Sequence, residues 1–153
     1  MKIYKLEREQ FLLINKHEAW SFFSDPKNLE TITPDNMKFE ILSDLPEKIY
    51  PGIMILYKIK PILNIPMDWA TVINHIKEPY MFIDEQISGP YKLWHHQHIF
   101  EEVEKGILMT DIVHYGLPFG FLGKLADKLF IKKQLDDIFN FRYKFLEKKF
   151  KNQ

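Results

Sequence analysis

Between residues 38 and 117, apolar residues recur at every second position in segments joined by very short breaks. That period belongs to strands with one buried face. Parallel neighbours need a crossover of roughly a dozen residues or more. Lys77-Glu78-Pro79, Gly89-Pro90 and Glu104-Lys105-Gly106 offer far less chain than that. The strands must therefore pair antiparallel. They are expected at 38–43, 53–60, 67–76, 80–88, 91–103 and 107–117. The loop 44–52 holds Pro46, Pro51 and Gly52, and 61–66 is expected to be an irregular turn.

What flanks this block has a different rhythm. Residues 3–14 read as a first strand. Asn15, with Glu18 three residues on, marks the start of a short helix through a capping box. Asp25-Pro26 opens a second short helix that carries Leu29 and Ile32 and ends near Thr33-Pro34. Beyond Leu117-Pro118-Phe119-Gly120 the period becomes helical. Leu135, Ile138, Phe139, Phe145 and Leu146 share one face, with Arg142 in its middle, while Asn140, Lys144 and Lys148 lie elsewhere. Leu122, Leu125, Ala126 and Leu129 form a stripe on another side, so 121–130 is expected as a separate segment with a break between Phe130 and Gln134. A twisted antiparallel sheet of this size curls. The expected fold is α+β: a curved sheet of about seven strands wrapped around a long C-terminal helix, with two short helices after the first strand. It is expected to form one domain over residues 1–153.

Composition removes several functions. Lys plus Arg equals Asp plus Glu, at 21 each, so no global field draws in nucleic acid. There is no cysteine, hence no disulfide framework and no thiol nucleophile. The opening residues are charged throughout, unlike a signal peptide, and no apolar run approaches a membrane span. A cytoplasmic location without stable membrane insertion is the expectation; the oligomeric state stays open.

Strand parity locates a candidate site. In 91–103, Trp94, His96, His98 and Phe100 share the face with the large aromatics, which should point inward; His95 and Gln97 then point out. If Lys105-Gly106 is a two-residue turn, Phe100 opposes Asp111, His98 opposes Val113 and His96 opposes Tyr115, with His114 outside. Phe82, Asp84, Gln86 and Ser88 share a face of their strand. So do Trp69, Thr71, Ile73 and His75, and so do Ile55, Tyr57 and Ile59. Asp84, Gln86, His96, His98, Asp111 and Tyr115 therefore converge within a wall that includes Tyr57, Trp69, Phe82, Trp94, Phe100, Val113 and Phe139. Arg142 faces them and needs an acceptor, Asp84 or Asp111, because an unpaired buried charge is costly. A few convergent polar groups in an apolar concavity describe a small-molecule site. A buried structural network is the plain alternative.

Several strings resemble the START-related helix-grip (SRPBCC) superfamily. They are Phe82-x-Asp84-x-Gln86, Gly89-Pro90-Tyr91, Trp94-x-His96-x-His98-x-Phe100, Thr110-Asp111-x-Val113-x-Tyr115, Leu117-Pro118-Phe119-Gly120 and Phe139-x-x-Arg142. The resemblance is nearest to its polyketide cyclase/dehydrase-like members and to the bacterial proteins labelled cell-division inhibitors. It implies an apolar ligand held between sheet and helix, and chemistry there in a minority of members.

The expected function is binding of a small hydrophobic or amphipathic molecule. A cyclase or dehydratase is the alternative, with His96 or His98 as base, Asp111 beside them, and Tyr115 or Arg142 steadying an enolate. A protein-interaction module is the third option. His96-x-His98 with Asp111 or Asp84 has metal-ligand chemistry, but such strand pairs are common without metal, and neither metal nor cofactor is expected. No nucleotide loop or Ser-His-Asp motif is present. The lysines near the C-terminus suit a solvated helix face or, weakly, an acidic membrane surface.

Overall fold

The computed structural model describes residues 1–62, 65–118 and 130–151. Its strands are β1 (Ile3–Leu12), β2 (Glu40–Ile41), β3 (Ile53–Ile62), β4 (Ile65–Lys77), β5 (Met81–Ser88), β6 (Leu93–Val103) and β7 (Gly106–Gly116). They form one sheet in the order β1-β7-β6-β5-β4-β3-β2, antiparallel throughout. Two short helices follow β1, α1 (Lys16–Phe23) and α2 (Asn28–Thr31), and a long helix, α3 (Lys132–Phe150), closes the described chain. The curved sheet grips α3, as the change of period requires.

Local chemistry explains most boundaries. The α1 capping box forms: the Glu18 amide donates to Asn15 Oδ1 and the Asn15 amide to Glu18 Oε2, both at 3.0 Å. Asp25 does not cap α2 directly. Its Oδ1 accepts the Lys27 amide at 3.0 Å in the turn before, and α2 begins at Asn28. The expected strand 38–43 shrinks to Glu40–Ile41. Asp35–Met37 forms a 3-10 turn, and Lys38 takes a left-handed conformation (φ 48°) that starts pairing late. The expected turn at 61–66 is narrower, because β3 runs to Ile62 and β4 starts at Ile65; residues 63–64 lie outside the described residues.

Two strand expectations need correction. The β6–β7 turn is Glu104-Lys105, with Lys105 at φ 69°, and Gly106 pairs with Val103. A Cβ at Gly106 would collide with the Leu12 carbonyl, so glycine begins the strand instead of bending the turn. The register therefore moves by two residues. Phe100 opposes Met109, His98 opposes Asp111, His96 opposes Val113 and Trp94 opposes Tyr115. A shift of two preserves parity, so the inward set survives. In β4, an irregularity between Ile73 and His75 flips the alternation: Thr71 and Ile73 are buried, His75 is exposed and Ile76 packs on the core. A bulge of this kind cannot be read from alternation, because the extra residue breaks the period that alternation assumes.

A π turn at Phe130–Ile131 leads into α3, which is uninterrupted through Gln134. The stripe Leu122 to Leu129, and with it the expected separate segment, lies outside the described residues. Along α3, Leu135, Phe139, Arg142, Leu146 and Phe150 are buried, while Asn140, Lys144 and Lys148 are exposed. Gln10 Nε2 donates to the Tyr143 carbonyl at 2.9 Å, and Arg8 pairs with Asp136, fastening the helix to β1. Among the described residues, no helix is long and apolar enough to cross a membrane.

The core has two parts. One cluster gathers Leu12, Trp20, Ile55, Tyr57, Phe82, Phe100, Met109, Leu146 and Phe150, among others. The second holds Leu6, Trp94, Val113, Tyr115, Ile131, Leu135 and Phe139. On β6, β7 and α3 alike, the inward residues between the two clusters are polar, namely His96 and His98, Asp111, and Arg142, and Asp84 on β5 lies beside them next to Phe82 of the first cluster.

Candidate functional site: a polar layer at a buried cavity

The corrected register is what assembles this layer. Asp84 on β5 opposes His96 on β6, and His98 on β6 opposes Asp111 on β7. The two imidazoles lie almost against one another, with ring centroids 3.8 Å apart, and each meets both carboxylates. His98 Nε2 is 2.8 Å from Asp84 Oδ2, and His98 Nδ1 is 3.2 Å from Asp111 Oδ1. The second of these is a charge contact, since its direction is not that of a hydrogen bond. His96 Nε2 is 2.8 Å from Asp111 Oδ1, and His96 Nδ1 is 3.5 Å from Asp84 Oδ2. Trp94 Nε1 donates to Asp84 Oδ1 at 3.3 Å. Phe82 stacks on His98 with centroids 4.1 Å apart, and Phe139 meets His96 edge-on.

Arg142 completes the layer from the helix. Its Nη1 lies 3.6 Å from Asp111 Oδ1 and its guanidinium sits 4.8 Å above the Phe139 ring. Of the two carboxylates expected to receive it, Asp111 is the partner. Among the described residues, neither Arg142 Nε nor Trp69 Nε1 has a hydrogen-bond partner.

Burial and pairing compete over every charge here. For Asp111, burial favours the neutral acid, but the hydrogen bond from His96, the close contact with His98 and the charge of Arg142 outweigh it and hold the carboxyl well below its usual range. For Asp84, burial is outweighed by His98, His96 and Trp94, again lowering it. Burial, aided by the neighbouring His98 charge, lowers His96. Burial acts the same way on His98, yet its contacts with Asp111 and Asp84 win and raise it. The layer thus holds two carboxylates, an arginine, a neutral imidazole and a favoured imidazolium. Burial also keeps the Tyr57 hydroxyl neutral, far above its ordinary range.

Between layer and helices lies a cavity of about 150 Å³. Of the residues expected to line it, Tyr57, Trp69, Phe82, Asp84, Trp94, His96, His98, Phe139 and Arg142 do so. Five are elsewhere. Gln86 is used in the β5–β6 turn, where its Nε2 donates to the Tyr91 carbonyl at 2.6 Å. Phe100 is packed in the first cluster and Val113 in the second. Tyr115 stacks on Tyr4 with centroids 5.3 Å apart. Asp111 stands behind the two histidines and borders a smaller cleft beside β1 instead. Inward parity is necessary for lining a cavity but not sufficient, because depth along the strand decides which inward residue meets open space. His95 points away and pairs with Glu85 at 2.6 Å.

Strand reasoning also missed part of the wall. Phe22 and Phe23 of α1, Leu29 and Ile32 near α2, and Leu135 and Ile138 of α3 close the cavity. Adjacent phenylalanines in a helix of eight residues were the available signal, since so short an element cannot bury both within itself.

No family model matches the chain, and no curated protein sequence does. Solved structures do. Protein TTHA0849 from Thermus thermophilus superposes with a TM-score of 0.72 at 14% identity, covering 95% of each chain. Ginseng major latex-like protein 151 from Panax ginseng gives 0.67 at 14%, covering 97% of each. Ara h 8.0201 gives 0.63 at 12%, covering 95% of this chain and 98% of that one. These likenesses define the class: the chain has the helix-grip fold. At such identities they carry the fold and not the activity.

Proposed function

We propose that the protein binds a small amphipathic molecule in the cavity between its curved sheet and α3. The observation that carries this is a mostly aromatic and aliphatic cavity whose polar side includes residues with unpartnered N–H groups, Trp69 and Arg142. A buried donor left unpaired costs about 1–3 kcal/mol, which a ligand acceptor would recover. The volume is about that of a cavity that accepts a single benzene ring. The ligand is therefore a one-ring aromatic or a short chain bearing a carbonyl, carboxylate or phenolic oxygen. A long fatty acid or a polyaromatic would have to open the helices.

Titration of Trp69 and Trp94 fluorescence with phenol, benzoate and a fluorescent fatty acid tests this. One-ring compounds should bind, and Ile138→Trp, which fills the cavity from α3, should abolish the response while the protein stays folded. No response to any probe in the wild type would overturn the reading and favour an interaction module. If Arg142 anchors the ligand, replacing Arg142 and Asp111 together by leucine should keep the fold and weaken binding about tenfold or more. A purely structural pair would leave binding unchanged.

The enzyme reading has one specific observation in its favour. A neutral His96 beside a favoured His98 imidazolium, both on the cavity wall, is the acid and base pairing that proton transfer needs. Tyr115 drops out of that mechanism, because its ring lies against Tyr4 in the second cluster. Turnover lost in His96→Ala while binding persists would select a cyclase-like branch over a carrier. The single-domain organisation and cytoplasmic location expected from the sequence belong to the same reading.

A further inference from the structure

The geometry points to a divalent metal site formed by Asp84, His96 and His98, open to the cavity. Each offers one ligand atom, and the three atoms lie within 4.8 Å of one another. Asp84 Oδ2 is 2.8 Å from His98 Nε2 and 3.5 Å from His96 Nδ1. A tetrahedral ion with ligand bonds of about 2.0–2.2 Å sets its ligand atoms about 3.3 Å apart. Both separations are within about half an ångström of that value, and with all three ligand atoms no more than 4.8 Å apart, turning the imidazoles toward Asp84 would bring them onto one ion.

The surroundings are those that metal-bound histidines use. A ligating imidazole gives its other N–H to a carboxylate, which fixes the tautomer. Here Asp111 Oδ1 shares a hydrogen bond with His96 Nε2 at 2.8 Å, while His98 Nδ1, 3.2 Å away, makes a charge contact with the same oxygen. Arg142 decides which side takes the cation. Its guanidinium sits against Asp111 and repels a second positive charge there, leaving Asp84 as the ligand. Trp94 Nε1 orients that carboxylate from its other oxygen. All three ligands line the cavity, so the fourth position faces the space where a small molecule would sit. Two imidazoles and a carboxylate, with no sulfur donor, suit Zn²⁺, Fe²⁺ or Co²⁺. An ion with an open position polarises a bound oxygen, which would give the cavity a Lewis acid.

Cobalt titration of chelator-stripped wild-type protein tests this. One Co²⁺ per chain should bind, with d–d absorption of a nitrogen- and oxygen-ligated ion and quenching of the neighbouring Trp94. Zinc should displace it. Asp84→Asn and His98→Ala should each weaken binding at least tenfold, and Asp111→Asn should weaken it about 10- to 100-fold. His95 and His114, whose ring centroids are 6.3 Å apart beside Glu85 away from the cavity, are the adventitious competitor. Binding should survive His95→Ala and His114→Ala. X-ray absorption of cobalt-loaded protein carrying His95→Ala and His114→Ala decides the matter even if the buried variants misfold, because with that competitor removed it must still show a pair of imidazoles. No uptake by folded wild type in large cobalt excess would overturn the site. So would loss with His95→Ala, or an absorption spectrum without paired imidazoles. Metal uptake does not require the organic ligand, so failure of one reading leaves the other standing.

Discussion

The two apolar clusters and the polar layer between them are both buried, apart from the half-buried Asp84, yet they are held by opposite kinds of physics. In the clusters, Phe100, Ile55, Leu146 and their neighbours contribute in proportion to the area and volume they fill. In the layer, Asp84, His96, His98, Asp111 and Arg142 contribute only as long as each keeps its partners. An apolar core degrades gradually when trimmed. A buried charge network fails in steps, because removing one member strands the rest. The protein places its brittle part at the cavity and its forgiving part on either side.

The sharpest break of that contrast is Asp111→Leu. It leaves Arg142 and two imidazoles facing no carboxylate on that side, and should cost about 3–5 kcal/mol in urea unfolding. Arg142→Leu should cost less, about 1–3 kcal/mol, because Asp111 keeps both histidines. If the arginine variant proved the more damaging, the network would be centred on the helix and not on the sheet.

Acid tests the same members in the metal-free protein. Asp84 and Asp111 are lowered in the folded state, so their stabilisation is complete above the unfolded carboxylate value near pH 4 and is lost as pH falls toward the folded values. His98 is raised and contributes below about pH 6.5, losing that contribution as pH rises through its folded value. His96 is lowered and works in the opposite sense, so the histidines offset one another near neutrality. Unfolding free energy should therefore drop on the acid limb below about pH 4, and Asp111→Leu should flatten that limb. An unchanged limb would remove Asp111 from the account.

Smaller effects calibrate the apolar side. Ile55→Val, in the first cluster, should cost about 0.5–1.5 kcal/mol with no change in pH dependence. Lys133→Ala on the exposed face of α3 breaks the pair with Asp137 and should change stability by no more than about 0.5 kcal/mol. A cost for Ile55→Val near that of Asp111→Leu would erase the distinction between the two regions.

Sequence alone was sufficient wherever a local rule acts over many residues. Short breaks between period-two segments required antiparallel pairing, the 3.6 period placed α3, and parity set the inward face of β6 and β7. The carboxylate demanded by Arg142 followed from the cost of an unpaired buried charge, although the sequence left Asp84 and Asp111 equally eligible. Tertiary structure chose between them, because only the crossing of α3 over the sheet brings the guanidinium to Asp111. It also set the hairpin register, where a two-residue shift is invisible to parity yet moves His98 from Val113 to Asp111. The bulge that turns His75 outward, the retreat of Phe100, Val113 and Tyr115 into packed core, and the helical wall from Phe22 to Ile138 were decided there too. The physical reason is range. Periodicity reports which way a side chain points, whereas distance between side chains on β5, β6, β7 and α3 exists only once strands and helix have packed.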